Sequence, residues 1–284
     1  MTDKYTVAPE HTAVRVALWR ALHVKIDPPP HIFTDEVGAA LVDEKDWQNR
    51  QDMAPGFSKS MRASIVGRAR FIEDLLKEEI KNGVTQYVIL GAGLDTFAQR
   101  HSEIASRIQI FEVDQPGPQA WKKKRLLEKG FEIPESLHFV PVDFEAGESW
   151  WDRLLAAGFN PAKPAFVVST GVSMYLTKET NLTTFQQIAK LAKGSTFATT
   201  FMLSLDLLPD QERSIMEFVM KKAAESGTPF NSLFSPEEIL ALARKADFSE
   251  SKYVSAQDIY NRYFSLRTDG LSAGTAEAFL VATT

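Results

Sequence analysis

The spacing of hydrophobic positions changes character along the chain. Up to about residue 80 they recur at helical intervals. Val14, Ala17, Leu18, Ala21 and Leu22 mark one helix, which Pro28-Pro29-Pro30 ends. Ile65, Phe71, Ile72, Leu75 and Leu76 mark a second, from about Ser60 to Lys81, stopped by Asn82-Gly83. Beyond it, short apolar runs alternate with polar, helix-like stretches. The runs cover Tyr87–Leu90, Ile108–Val113, Leu137–Phe144, Ala165–Ser169 and Thr196–Met202, with helices such as Trp121–Lys129 and Thr180–Lys193 between them. Strands alternating with helices predict an α/β fold, a parallel sheet covered on both faces. After Ser204 the pattern returns to an amphipathic helix over Leu205–Ala224. Ser235-Pro236-Glu237-Glu238 then starts another that reaches about Ala246, with a serine cap, a proline in the first turn and acids at the positive end. Two last runs, near Glu250–Val254 and Ala276–Ala282, predict a closing antiparallel pair.

Composition narrows the class. The 284 residues suit one large domain, and 44% hydrophobic with 24% charged residues is ordinary for a folded chain. The absence of cysteine excludes disulfides, thiolate metal sites and a cysteine nucleophile, and fits a cytoplasmic location. A net charge of -5 argues against a general nucleic-acid binder. Glu10, Arg15, Arg20 and Lys25 interrupt the first thirty residues, so no signal-peptide core is expected there, and no apolar run is long enough for a membrane span. No His, Asp and Glu cluster has metal-ligand spacing, so no metal is expected. These exclusions leave a small molecule as the expected partner and the oligomeric state open.

Candidate chemistry gathers at the strand ends. Val88-Ile89-Leu90-Gly91-Ala92-Gly93-Leu94-Asp95-Thr96 runs from a strand into a glycine turn. Gly91 permits the sharp bend, and Gly93 removes a side chain where a ligand would meet the backbone. A tight strand-to-helix turn would use the same residues. The dinucleotide fingerprint wants a third glycine where Thr96 stands, which disfavours a nicotinamide cofactor. About 20 residues on, Phe111-Glu112-Val113-Asp114 ends the next strand, and an acid there can accept from two ribose hydroxyls. A turn residue before Pro116 is the alternative for Asp114. Val142-Asp143-Phe144 ends the third strand, where Asp143 can accept from an adenine amino group while Phe144 packs on the ring. All three fall where open α/β sheets place ligands.

The strings "YVILGAGLDTFAQR", "FEVDQP", "PVDFE" and "STGVSMYLT" resemble the leucine carboxyl methyltransferase family, and its bacterial and fungal branch with the tetracenomycin-type polyketide O-methyltransferases in particular. The resemblance covers roughly residues 60–200. It implies a class I methyltransferase fold: a seven-stranded, mostly parallel Rossmann-like sheet binding S-adenosylmethionine. A helical cap over 1–82 would precede a core of 83–203 and 247–284, with a helical lid over 204–246. It also gives Arg68, in "GRARFIED", the carboxylate of the cofactor's methionine half, a match between guanidinium fork and carboxylate. Many members carry Glu-Gly where this chain has Thr170-Gly171, so Thr170 brings a hydroxyl and no charge. That departure points away from protein-carboxyl methylation and towards small acceptors.

The acceptor is less legible. A carboxylate needs no base, whereas a hydroxyl must lose a proton. His11, His23, His31, His101 and His138 sit in no motif, so no catalytic residue is assigned. Tyr175 is a candidate substrate contact with packing as its alternative. Lys122-Lys123-Lys124-Arg125 reads as the wet face of a helix, and Trp150-Trp151 as packing. Met216, Phe218, Met220, Phe230 and Phe234 suggest an apolar acceptor pocket. The expected activity is S-adenosylmethionine-dependent O-methyl transfer to a carboxylate or hydroxyl of a small, largely apolar, polyketide-like acceptor. A nicotinamide-dependent oxidoreductase and an inactive S-adenosylmethionine-binding protein are the alternatives.

Overall fold

The computed structural model describes residues 11–42, 50–56, 58–144 and 146–284, the side chains of His11 and Gln51 excepted. Glu10, expected to interrupt a leader, lies outside these residues, as does the His11 side chain.

The chain begins with α1 (His11–Ile26), α2 (Glu36–Leu41) and α3 (Lys59–Lys81). The alternating part follows: β1 (Gln86–Leu90), α4 (Phe97–Arg100), α5 (Ser102–Ala105), β2 (Gln109–Asp114), α6 (Pro116–Glu128), β3 (Leu137–Pro141), α7 (Trp150–Ala156), β4 (Ala165–Ser169), α8 (Lys178–Ile188) and β5 (Thr196–Met202). It ends with α9 (Asp210–Glu225), α10 (Pro236–Lys245), β6 (Glu250–Val254), α11 (Ala256–Tyr263) and β7 (Glu277–Thr283).

Seven strands form one sheet in the order β3-β2-β1-β4-β5-β7-β6. Strands β1 to β5 are parallel, and β7 runs antiparallel between β5 and β6. This is the seven-stranded class I methyltransferase arrangement expected from the resemblance. Side-chain alternation splits the core. Val88 and Leu90 face one layer with Leu154 of α7, Phe185 of α8 and Ile239 of α10. Tyr87 and Ile89 face the other, with Val66 and Phe71 of α3 and Ile259 of α11.

The closing pair is wider than a hairpin. Between β6 and β7 lies α11, started by a capping box of Ser255 and Asp258. It packs against α3, where a side chain on Gly67 would meet Phe264 at 3.0 Å. The stretch 204–246 divides in two. Helix α10, opened by the expected Ser235 cap, buries Ile239 and Ala243 in the sheet's own helical layer. Helix α9 stands further out, with Met216 buried and Ile215 and Phe218 exposed.

Candidate functional site

The parallel strands progress outward from β1 in one direction and from β4 in the other. The reversal opens a crevice beyond the carboxyl ends of β1 and β4, where doubly wound sheets bind ligands. Gly91 follows β1, and Thr170-Gly171 follows β4 on the other side of that crevice. Asp114 ends β2, the next strand out, and Asp143-Phe144 follows β3 beyond it. Six residues from four separate loops therefore form one row along a single edge of the sheet.

The glycine turn is tied to that row. The amides of Gly91 and Ala92 donate to the Val113 carbonyl at 2.9 and 3.2 Å. Gly91 has φ +74°, and a side chain there would strike Val172 Cγ2 at 2.6 Å. The Gly93 amide donates to Asp114 Oδ2, while Asp114 Oδ1 accepts from the Gln115 amide at 2.7 Å. Burial pushes the Asp114 carboxyl up, and those two amides and Lys122 pull it back only in part. A carboxylate can accept about four hydrogen bonds, so Asp114 retains acceptor capacity for a ligand.

Arg68 reaches the row from α3. Its Nη1 lies 2.9 Å from Glu277 Oε1, at the start of β7. Gly171, with φ +70°, brings its backbone so close that an added Cβ would sit 3.3 Å from the same nitrogen. Thr170 is half-buried beside it, and Gly171 is held by an amide hydrogen bond to Thr200 Oγ1 at 2.8 Å. Asp143 uses Oδ1 to accept from the Ala146 amide at 2.9 Å, and the Phe144 ring is exposed. Tyr175 is half-buried, its ring 5.5 Å from that of Phe230 in an edge-to-face contact.

Two further groups lie beneath the row. Thr96, read as an obstruction to a dinucleotide site, is fully buried and donates to Asp35 Oδ1 at 2.7 Å while accepting from Arg100 Nε at 2.9 Å. Asp35 also pairs with Arg20 of α1 at 3.0 Å, and Arg20 donates to the Leu94 carbonyl at 2.6 Å. The N-terminal helix is thus bonded to the glycine loop itself. The basic run of α6 is only partly a wet face: Lys122 is fully buried, with Nζ 2.5 Å from Glu112 Oε2. An acid two residues before the end of an otherwise apolar strand run was the signal for that partner. Trp150 and Trp151 are half-buried against the core, as read.

Each described histidine side chain is engaged by a neighbour. His23 is buried between Asp27, at 2.9 Å, and the Ile32 amide. His31 contacts the Asp27 carbonyl, His101 contacts Glu73 at 2.7 Å, and His138 bonds Gln109 near the opposite end of β2. A polar surface recess bordered by Gln86, Gln109, Asn160 and Lys163 also lies at that opposite edge, remote from every residue of the row.

The strand order, with β7 antiparallel between β5 and β6, is that of the class I methyltransferase fold. The leucine carboxyl methyltransferase family model matches residues 13–189. The chain is 33% identical to "Putative S-adenosyl-L-methionine-dependent methyltransferase YktD" of Bacillus subtilis over 92% of its own length and 93% of the relative's. It is 30% identical to a similarly named Mycobacterium tuberculosis protein, Rv1729c, over 72% and 69% of the two chains. The chain belongs to the leucine carboxyl methyltransferase family and is an S-adenosylmethionine-dependent methyltransferase. The nicotinamide alternative is thereby set aside. Among solved structures, a duf574 family protein from Streptomyces avermitilis superposes with a TM-score of 0.62 at 18% identity, covering 97% of this chain and 98% of that one. A protein from Thermobifida fusca reaches 0.58 at 18% identity, over 98% and 95%. At such identities the likeness establishes the fold. No helix among the described residues is long and apolar enough to cross a membrane.

Proposed function

We propose that the protein methylates an oxygen of a small, largely apolar acid, holding its cofactor through Arg68, Gly91, Gly93, Asp114, Asp143, Phe144 and Thr170. The chemistry of the donor set fits the group. Arg68 has guanidinium donors beyond the one given to Glu277, which suits a carboxylate. Asp114 has acceptor capacity for ribose hydroxyls, and the exposed Phe144 ring offers a face for adenine. Gly91 and Gly171 keep side chains out of the crevice between them.

The observation that carries the acceptor's chemistry is the placement of the histidines. Among the described side chains, each of His23, His31, His101 and His138 is engaged by a neighbour. A carboxylate acceptor is already a nucleophile, so its methylation asks only for positioning, which can supply up to roughly 7–11 kcal/mol. When bound, the cofactor supplies a sulfonium methyl: the acceptor oxygen's lone pair forms the new O–C bond while the S–C electron pair returns to sulfur. The chain's own part is to hold the two ends in line and exclude water. Tyr175 and Phe230 contribute an aromatic wall, and Ile215 and Phe218 of α9 an exposed apolar surface, consistent with an apolar acceptor and a lid role for α9.

The test is methyl transfer from labelled S-adenosylmethionine to a panel of apolar carboxylic acids and phenols, followed by mild alkali. Methyl esters release labelled methanol and aryl ethers do not. Label retained on a phenol, with none on any acid, overturns the carboxylate assignment.

A further inference from the structure

The methionine half of S-adenosylmethionine is a zwitterion, with an α-carboxylate beside an α-ammonium. Arg68 answers the first charge alone. A guanidinium without a neighbouring acid would repel the second, and Thr170 carries no charge. The structure supplies a carboxylate from another direction. Strand β7 is antiparallel to β5, with Glu277 opposite Met202, so the start of β7 lies at the same sheet edge as the carboxyl ends of the parallel strands. Glu277 Oε1 accepts from Arg68 Nη1 at 2.9 Å, and the Glu277 side chain is 17% exposed, leaving it reachable. Its second oxygen has no hydrogen bond to a described residue.

We propose that Glu277 is the acceptor for the α-ammonium of the cofactor, so that Arg68 and Glu277 form a paired receptor for an amino-acid zwitterion. This rests on the cofactor site proposed above. The pair is built before any ligand arrives. The Gly274 amide donates to Ser64 Oγ at 3.1 Å, one turn before Arg68 on α3. Glu212 of α9 accepts from the Thr275 amide and hydroxyl at 2.7 and 2.8 Å. Lys59 of α3 donates to the Asp269 carbonyl at 2.7 Å. The segment leading into β7 is therefore fastened to α3 and α9, which fixes Glu277 beside Arg68 and lowers the ordering cost of binding. An ionised partner left unmatched in such a half-buried site weakens binding by one to two orders of magnitude.

Calorimetry on the full chain tests this with three probes. They are S-adenosylhomocysteine, its deamino analogue, which keeps the carboxylate, and 5′-methylthioadenosine, which lacks the amino acid. The wild type should bind S-adenosylhomocysteine about 10- to 100-fold more tightly than the deamino analogue. Glu277→Gln should abolish that difference, weakening S-adenosylhomocysteine by the same factor and leaving the other two probes within about two-fold. Retained 5′-methylthioadenosine affinity certifies a folded variant. Equal wild-type affinity for S-adenosylhomocysteine and the deamino analogue overturns the assignment without recourse to any variant. Equal weakening of both by Glu277→Gln also overturns it, because Glu277 then serves only Arg68. A wild type that binds none of the three refutes the cofactor site itself.

Discussion

Lys122 Nζ lies 2.5 Å from Glu112 Oε2 with both side chains 1% exposed, a buried ion pair one strand away from the glycine turn. The other Glu112 oxygen has no hydrogen-bond partner among the described residues. Burial pushes the Glu112 carboxyl up to about 7 despite the pull of Lys122, with Asp95 and Asp114 adding to the push. Removing one member of such a pair strands the other charge, at a cost of about 3–5 kcal/mol, whereas replacing both with apolar groups is often neutral. Lys122→Met should therefore lose about that much stability in urea unfolding, and Lys122→Met with Glu112→Leu should regain most of it. A single-variant loss below about 1 kcal/mol would show that the pair is not a structural requirement.

That pair also marks where sequence reading stops. Helix and strand placement was legible because period and punctuation were strong: the start of α10, the seven strands and the end of α3 all fall within a few residues of expectation. Lys122 was assigned to solvent with Lys123, Lys124 and Arg125 because a charge run has no visible partner until Glu112 is placed opposite. Helix α11 was missed although Ser255 and Asp258 have capping-box spacing, since its length of one short helix is lost between two strands. The row of Gly91, Asp114 and Asp143 was legible from strand ends alone. Glu277 was not, because its closeness to Arg68 arises from β7 inserting antiparallel beside β5, a register no local pattern encodes.

Gly91 combines two constraints that can be separated. Its φ of +74° costs a side-chain-bearing residue about 1–2 kcal/mol, and its closeness to Val172 adds a clash at 2.6 Å. Gly91→Ala should destabilise by about 2–3 kcal/mol and impair S-adenosylhomocysteine binding. Adding Val172→Ala should relieve the clash and leave the conformational part, about 1–2 kcal/mol, in place. Thermal unfolding of the two variants distinguishes these shares, and no rescue by Val172→Ala would refute the steric component.

Acid should loosen the base of the site through Glu73. Burial alone would raise its carboxyl, but His101 at 2.7 Å and the Arg100 guanidinium outweigh that and bring it down to about 2. A carboxyl lower in the folded than in the unfolded chain contributes stability that is full above the unfolded value and disappears as pH falls through the folded one. The contribution is about 3 kcal/mol. Denaturant midpoints should thus decline steeply between pH of about 4.5 and 2. Glu73→Gln should be less stable at neutral pH and lose less on acidification. A wild-type slope unchanged by the substitution counts against the network.

Asp114 offers the sharpest test of the cofactor row. Its carboxylate already accepts from the Gly93 and Gln115 amides, so it is oriented before a ligand arrives, with acceptor capacity left over. Two ribose hydroxyls donating to an ionised acceptor are worth about 1.5–3 kcal/mol, so Asp114→Ala should weaken S-adenosylhomocysteine about 10- to 100-fold. Asp114→Asn keeps the shape but offers only one acceptor oxygen, so it should fall between. Because burial raises the Asp114 carboxyl, it takes up a proton at a higher pH than a free aspartate. Protonation removes acceptor capacity, so wild-type affinity should be constant near neutral pH and decline on acidification before an ordinary aspartate would titrate. Asp114→Asn should show a flatter profile over the same range. Calorimetry across pH reads both effects, and an Asp114→Ala affinity equal to wild type would remove the ribose contact from the site.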